Sequence, residues 1–300
     1  MHIPREILKT VAFVCFRNKI SGSLVPVGSS FFLGIQPDAN VPWASNVFIT
    51  TARHVIDGLA AQGCESCVIR MNAKSPNQTF VEIEIPISEW KFNKTDDSID
   101  VAICEHGLPA DADHLVLPMT LGASDAILSE YGVDIGEDVF VSGLFAHHFG
   151  NEKNIPIVRV GNIAAMNEER IKTRKGDMDA FLIEARSIGG LSGSPVFINF
   201  GAMRQVGNST LLGAPGPQHV LLGLIHGHFD VKKNDISSDQ ITEDAIKDSV
   251  NAGIAIVVPF EAIKETISQH LNDSSLSADL NRFNVANTAL QFSRSLVQRT

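Results

Sequence analysis

Short apolar runs separated by turn residues recur along most of this chain, and no other feature narrows its fold as much. "TVAFVCF" (10–16), "GSSFFLGI" (28–35), "NVFITTA" (46–52), "SCVIRM" (66–71), "FVEIEIPI" (80–87) and "DVAICEH" (100–106) form a first set. A looser stretch, "GLPADADHLVLPMTLGASDA" (107–126), intervenes. The second set is "DVFVSGLF" (138–145), "IPIVRVGNIAA" (155–165), "AFLIEA" (180–185), "SPVFINF" (194–200), "HVLLGLIH" (219–226) and "AGIAIVVP" (252–259). Runs so short and so evenly spaced predict strands of an all-β sandwich or barrel. Their distribution about the looser stretch predicts two β units of similar size. Helical periodicity stands out only in "PFEAIKETISQHL" (259–271), where Pro259 opens the segment, Glu261 lies in its first turn, and Ile263, Ile267 and Leu271 recur every fourth residue. The polar "NDSSLSAD" and the weakly amphipathic "LNRFNVANTALQFSRSL" then form a tail that reads either as a docked helix or as an extension.

Composition removes several classes of function. The formal net charge is -10 and no run of lysines or arginines stands out, whereas binding a phosphate backbone needs clustered cations. Nucleic acid is therefore not expected as the main partner. The opening "MHIPREILKTVAFVCFRNK" has an apolar centre too short to span a bilayer and no small-residue cleavage site after it. We read it as a first strand and expect a soluble protein, without membrane association, in the cytoplasm. Cys15 and Cys104 sit in apolar runs as small hydrophobes, while Cys64 and Cys67 make one C-x-x-C without a second ligand pair nearby. Free thiols in a reducing compartment are expected, with no cofactor and no metal.

One segment resists a purely structural reading. In "IGGLSGSPVF" (188–197), Ser192 stands between glycines with a proline three residues on. Acyl transfer by a serine needs a hydroxyl at a turn and backbone N–H groups aimed where the carbonyl oxygen becomes negative. Gly190 permits the backbone to turn such a donor inward, and the Ser192 N–H is a second. Gly193 leaves room behind the hydroxyl and Pro195 fixes the entry to the next strand. A serine also needs a base and an acid to orient that base. His54 closes an apolar run at Thr51-Ala52, and Asp100 directly precedes the apolar Val101-Ala102-Ile103. Asp96 and Asp97 fall in the polar loop before it.

Thr51-Ala52-x-His54, Asp100-Val101-Ala102 and Gly190-x-Ser192-Gly193-x-Pro195 resemble the three signature blocks of the trypsin/chymotrypsin-like serine peptidases, in that family's order. The likeness extends over about residues 10 to 270. It implies two six-stranded antiparallel barrels with a C-terminal helix, the triad lying in the cleft between them. The corresponding division is 1–115 with His54 and Asp100, 116–271 with Ser192 and the helix, and 272–300 as an extension without counterpart. It further implies that Ser192 attacks a peptide carbonyl, His54 carries the proton, Asp100 orients His54, and the N–H groups of Gly190 and Ser192 form the oxyanion hole. The substrate pocket would be walled by Arg186, Ser187, Ile188 and Gly189 and by Ile225, His226, Gly227 and His228.

Departures from the family matter too. Leu191 stands where zymogen-activated members carry an aspartate, and no Ile-Val-Gly-Gly activation sequence precedes the first barrel. The "GLSGSP" form is closer to bacterial glutamyl-endopeptidase-like, stress-protease-like and viral members, and no PDZ-like segment is recognised after the catalytic region. Arg186 either favours an acidic substrate side chain or faces solvent. Strand alternation turns His226 away from the pocket, toward Asp100, and a shift of one residue reverses that. His147 and His148 read as a surface loop, and Asp177 and Asp179 as turn residues. The expectation is a bacterial, intracellular serine endopeptidase acting on protein or peptide substrates, with a regulatory partner, an oligomer or the tail after residue 272 as the restraint on its activity. The alternatives are a catalytically silent protease-like binding or scaffold protein, and a metal hydrolase built on Cys64 and Cys67 or on His226 and His228.

Overall fold

The chain enters on a 3-10 turn, Arg5–Thr10, and becomes a strand only at Val11. The opening segment is thus part turn and part strand, Pro4 serving as the extended residue that starts the turn. The computed structural model describes residues 2–35, 46–173, 176–185, 189–201, 203–206, 209–212, 217–232 and 249–271. The tail from 272 to 300 and the expected pocket residues Arg186, Ser187 and Ile188 lie outside them.

The first unit contains β1 (Val11–Arg17), β2 (Leu24–Ile35), β3 (Asn46–Thr51), β4 (Ser66–Asn72), β5 (Phe80–Pro86), β6 (Lys91–Phe92), β7 (Ala102–Glu105) and β8 (Leu117–Pro118). Helix α1 (Arg53–Ala61) follows β3 directly and buries Val55, Ile56 and Leu59. These strands form one sheet in the order β5-β4-β1-β2-β3-β7-β6, with β8 pairing in parallel on β2. Along β5 the period of two is plain: Val81, Ile83 and Ile85 are buried while Glu82 and Glu84 are exposed. The sheet curls into a half-barrel and no ladder among the described residues joins β5 to β6. Pro86 brings no N–H to continue the β5 ladder, and the Ile87 N–H turns back to the Glu65 carbonyl at 2.9 Å.

The second unit holds α2 (Asp125–Glu130), β9 (Asp138–Gly143), β10 (Ile157–Ala165), β11 (Ile171–Thr173), β12 (Gly176–Met178), β13 (Phe181–Glu184), β14 (Pro195–Asn199), β15 (Met203–Val206), β16 (Ser209–Leu212), β17 (His219–Lys232), β18 (Ser249–Pro259) and α3 (Phe260–Ser268). Six of its strands close a barrel in the order β10-β13-β18-β17-β14-β9. The hairpin β11–β12 and the hairpin β15–β16 stand outside it, and Asp177 is a strand residue of the first of these. The fold is all-β with a few short helices: a half-barrel sheet and a closed six-stranded barrel. Among the described residues no helix is long and apolar enough to cross a membrane.

The two units share a core. Phe140, Phe197, Leu221 and Leu224 of the barrel join the cluster formed by Ala12, Val14, Phe31 and Leu33 of the sheet. On the other face of β1, Phe13 and Cys15 meet Leu144, so β1 is buried on both sides. Helix α3 then returns to the first unit, burying Phe260, Ile263 and Ile267 in that same cluster. The Asn93 amide donates to Thr266 Oγ1, Lys94 N–H donates to Gln269 Oε1 and the His270 ring contacts the Phe92 carbonyl. The loop held in this way leads straight to Asp100.

Candidate active site

His54 is the second residue of α1, and its position follows from how the helix starts. Thr51 ends β3, Ala52 is extended and fully buried, and Arg53 begins the helix. The first four N–H groups of a helix have no intrahelical acceptor. That of His54 donates to Asp100 Oδ1 at 2.8 Å, and that of Arg53 donates to the Asp100 carbonyl at 3.3 Å. The carboxylate is therefore seated at a helix N-terminus, where the peptide dipoles favour negative charge. The His54 side chain folds back onto the same group, Nδ1 lying 2.7 Å from Oδ2.

Asp100 occupies the loop between β6 and β7, and this loop is shaped by its other polar residues. Asn93 Oδ1 accepts the N–H groups of Thr95 and Asp96 at 2.9 Å each, and Asp96 Oδ1 accepts the Ser98 N–H at 2.8 Å. Three nearby aspartates end in three environments. Asp96 pairs with Arg170 at 2.8 Å across to the second unit, and the Ser98 hydrogen bonds hold its carboxyl below the ordinary range. Asp97 is exposed and pairs with Arg53 at 3.0 Å. Only Asp100 of the three is fully buried. Burial alone would raise its carboxyl, but the hydrogen bonds from His226 and His54 and their electrostatic attraction more than offset it. The group is held well below the usual carboxylate range.

His226, on β17, completes this cluster. Its Nδ1 is 2.6 Å from Asp100 Oδ2, the same oxygen that His54 engages. The two imidazoles meet edge to face, with centroids 5.5 Å apart and planes at 78°. An ionised carboxylate only accepts, so each ring in its neutral form carries its proton on Nδ1 and leaves Nε2 as a lone pair. The carboxylate thereby sets the tautomer of two histidines at once.

Ser192 arrives from the barrel on a turn anchored at both flanks. The Gly193 N–H donates to the Ile225 carbonyl at 2.8 Å, the Ile225 N–H to the Ser194 carbonyl at 2.9 Å, and the Ser194 N–H to the Leu191 carbonyl at 2.9 Å. Across the boundary, β2 supplies Ser29. Its N–H donates to the Ser192 carbonyl at 2.9 Å, and its hydroxyl donates to the Gly190 carbonyl at 3.0 Å while accepting the Leu144 N–H at 2.8 Å. With these carbonyls drawn onto Ser29, the N–H groups of Gly190 and Ser192 donate to no acceptor among the described residues. Gly193 has φ +80°, and a Cβ there would lie 2.3 Å from both the Ser29 carbonyl oxygen and Thr51 Oγ1. The Ser192 hydroxyl donates to the backbone carbonyl of His226 at 3.4 Å. His226 thus touches the site at both ends, through its ring and through its main chain.

The expected pocket residues are dispersed. The side chain of Ile225 is buried in the barrel core with Leu191, Val196 and Leu222. His226 points at Asp100. Gly227 and Gly189 each face open space, and His228 is half-buried on the same strand as Gly227. His147 and His148 are exposed in the loop after β9. Sequence reasoning did not single out Ser29, and it named Thr51 only as the head of the histidine block; in the structure Thr51 Oγ1 donates to the Ser29 carbonyl at 2.7 Å. The signal at Ser29 is its place in an apolar run, which many serines share.

No protein-family model matches the chain, nor does any curated protein sequence. Among solved structures, the chain is similar to the MamO protease domain from Magnetospirillum magneticum in its apo form. The two share 14% identity over 90% of this chain and 99% of that one, with a TM-score of 0.49. It is also similar to Deg5, at 15% identity over 86% of this chain and 87% of that one, with a TM-score of 0.46.

Proposed function

We propose that this chain is a serine endopeptidase that cleaves protein or peptide substrates through His54, Asp100 and Ser192, by way of an acyl-enzyme. The observation that carries the reading is the buried Asp100 carboxylate gripping His54 by its ring and its backbone N–H together, beside a Ser192 turn locked to β2. In this reading Ser192 Oγ forms a bond to the substrate carbonyl carbon while its proton passes to the Nε2 lone pair of His54. The imidazolium is stabilised by Asp100, and the developing oxyanion by the N–H groups of Gly190 and Ser192. When the C–N bond breaks, the proton goes from Nε2 to the leaving amine, and water repeats the sequence to release the acid.

The second reading, a silent binding protein on the same scaffold, is favoured by one contact: the Ser192 hydroxyl donates to the His226 carbonyl and not to the His54 ring. A fluorophosphonate probe separates the two. A peptidase labels at Ser192, and Ser192→Ala abolishes both labelling and peptide hydrolysis. Labelling that persists in the alanine variant, or a folded wild-type chain that never labels, refutes the proposal.

A further inference from the structure

We propose that His54, Asp100 and His226 form a zinc site which, when filled, silences Ser192. The silencing rests on the peptidase reading; the site itself does not. One donor atom from each of the three residues lies within 4.8 Å of the others. Two imidazole nitrogens and one carboxylate oxygen suit zinc, a borderline ion that takes N and O ligands, and three protein ligands leave a fourth position open. Zinc bonds of about 2.0–2.1 Å in a tetrahedron put donor atoms roughly 3.3 Å apart. The two ring nitrogens stand 2.7 and 2.6 Å from the shared Asp100 oxygen, so small side-chain rotations open the space required. The rings cross at 78°, which lets both in-plane lone pairs meet at one point beside the carboxylate.

Charge and access agree with this geometry. The carboxylate is completely buried beneath the two rings, where a dication offsets its charge more fully than neutral N–H donors do. The way in is from the cleft, since the side chain of His54 is 32% exposed and that of His226 15%. The C-x-x-C pair is a poorer ligand set: burial pushes the Cys67 thiol up to about 12, and zinc needs the thiolate.

The chemistry of silencing is a tautomer change. Zinc takes the Nδ1 lone pair of each neutral ring, so each ring moves its single proton from Nδ1 to Nε2, with no proton released and no electrons transferred. His54 then presents an N–H toward Ser192 where proton abstraction requires a lone pair. Water or the Ser192 hydroxyl fills the fourth position.

The test begins with chelator-treated full-length protein and zinc titration by calorimetry, repeated with cobalt(II) for its visible spectrum. One metal per chain and the intense bands of four-coordinate cobalt are expected. His226→Ala and His54→Ala, each checked for native circular dichroism, should weaken binding by about 100-fold or more. The side chain of His54 is 32% exposed, so that variant is expected to retain the fold. Failure of the wild type to bind in the micromolar range, or equal binding by both variants, overturns the site. Zinc should also block fluorophosphonate labelling and a chelator should restore it; bound zinc with undiminished labelling overturns the silencing. A metal-free chain that never labels sinks the peptidase reading and the silencing with it, while the titration still decides the site.

Discussion

Asp100→Asn reverses the polarity of the site without removing an atom from its outline. Asn Oδ1 still accepts the His54 N–H, now seated 2.8 Å away, but an NH2 group replaces the oxygen that both ring nitrogens face at 2.7 and 2.6 Å. That NH2 has two protons, one for each ring, so both histidines become acceptors at Nδ1 and carry their proton at Nε2. The hydrogen bonds are conserved in number and reversed in direction. For His54 to act as a base it must return to the other tautomer against a facing donor, forfeiting a hydrogen bond to a charged group worth about 1.5–3 kcal/mol. Its imidazolium also loses a unit charge about 4–5 Å from the ring centre, worth roughly 3–4 kcal/mol at an effective dielectric constant near 20. These contributions overlap, and together amount to roughly 4–6 kcal/mol, or three to four powers of ten in kcat.

The assay is peptide hydrolysis and the rate of fluorophosphonate labelling, with long-range 15N–1H correlation to read the tautomers. Wild type should show two Nδ1–H rings and Asp100→Asn two Nε2–H rings, with melting temperatures within a few degrees. Asp100→Ala should melt clearly lower, because each donor left without an acceptor costs about 1–3 kcal/mol. A folded Asp100→Asn protein that works within tenfold of wild type would refute the reasoning.

Three further outcomes follow from single positions. Gly193→Ala places a methyl 2.3 Å from the Ser29 oxygen and from Thr51 Oγ1 at a φ of +80°, so the Ser192 turn must move; labelling should slow by about 100-fold or more. Gly58→Ala on α1, with nothing within 4 Å of the added methyl, should instead raise stability by about 0.5–1 kcal/mol in denaturant titration, and a loss would contradict the helix register. His219 is 7% exposed, neither ring nitrogen has a hydrogen-bond partner among the described residues, and the ring meets Phe140 edge to face. Burial, and then His2, push it down to about 4, so the native state resists the proton that the unfolded chain takes up below about 6.5. Stability should therefore fall by about 3 kcal/mol between pH 6.5 and 4, and His219→Leu should remove most of that acid sensitivity; unchanged sensitivity refutes the assignment.

Strands and the closing helix were legible because each depends on local periodicity. Sequence reasoning chose Asp100 over Asp96 and Asp97 because an apolar strand follows it, and of the three it is the one buried beneath His54. Strand alternation turns His226 toward Asp100, as the structure has it, but leaves a slip of one residue open, for a definite reason. Counting alternate faces along β17 assumes an unbroken ladder, but the pairing with β18 shifts register between Ile225 and Gly227. A strand with such an irregularity cannot have its faces counted from sequence alone. Ile225 counted as pocket lining turns into the barrel core at the same place. Nor does sequence show that the first sheet stays open, since closure depends on whether distant edges such as β5 and β6 find each other.

What aligns the two halves of the site is directional bonding at the buried Ser29 of β2, beside the His226–Asp100 contact, and not the shared apolar core by itself. An apolar interface is non-directional and tolerates sliding, whereas proton transfer needs donor and acceptor held to fractions of an ångström. Ser29 meets that need with every polar group it has. Its carbonyl holds Thr51, three residues before His54; its N–H holds Ser192; and its hydroxyl joins Gly190 to Leu144. The histidine and the serine come from different units, yet both are referenced to one backbone position. Asp100 is referenced to the same point through His54, and its loop is tied on the far side to α3. A motion that separates the units must therefore break directional bonds at Ser29 and the His226–Asp100 contact before it can spread the site, so the geometry responds to disturbance of these residues more sharply than to loss of apolar area elsewhere.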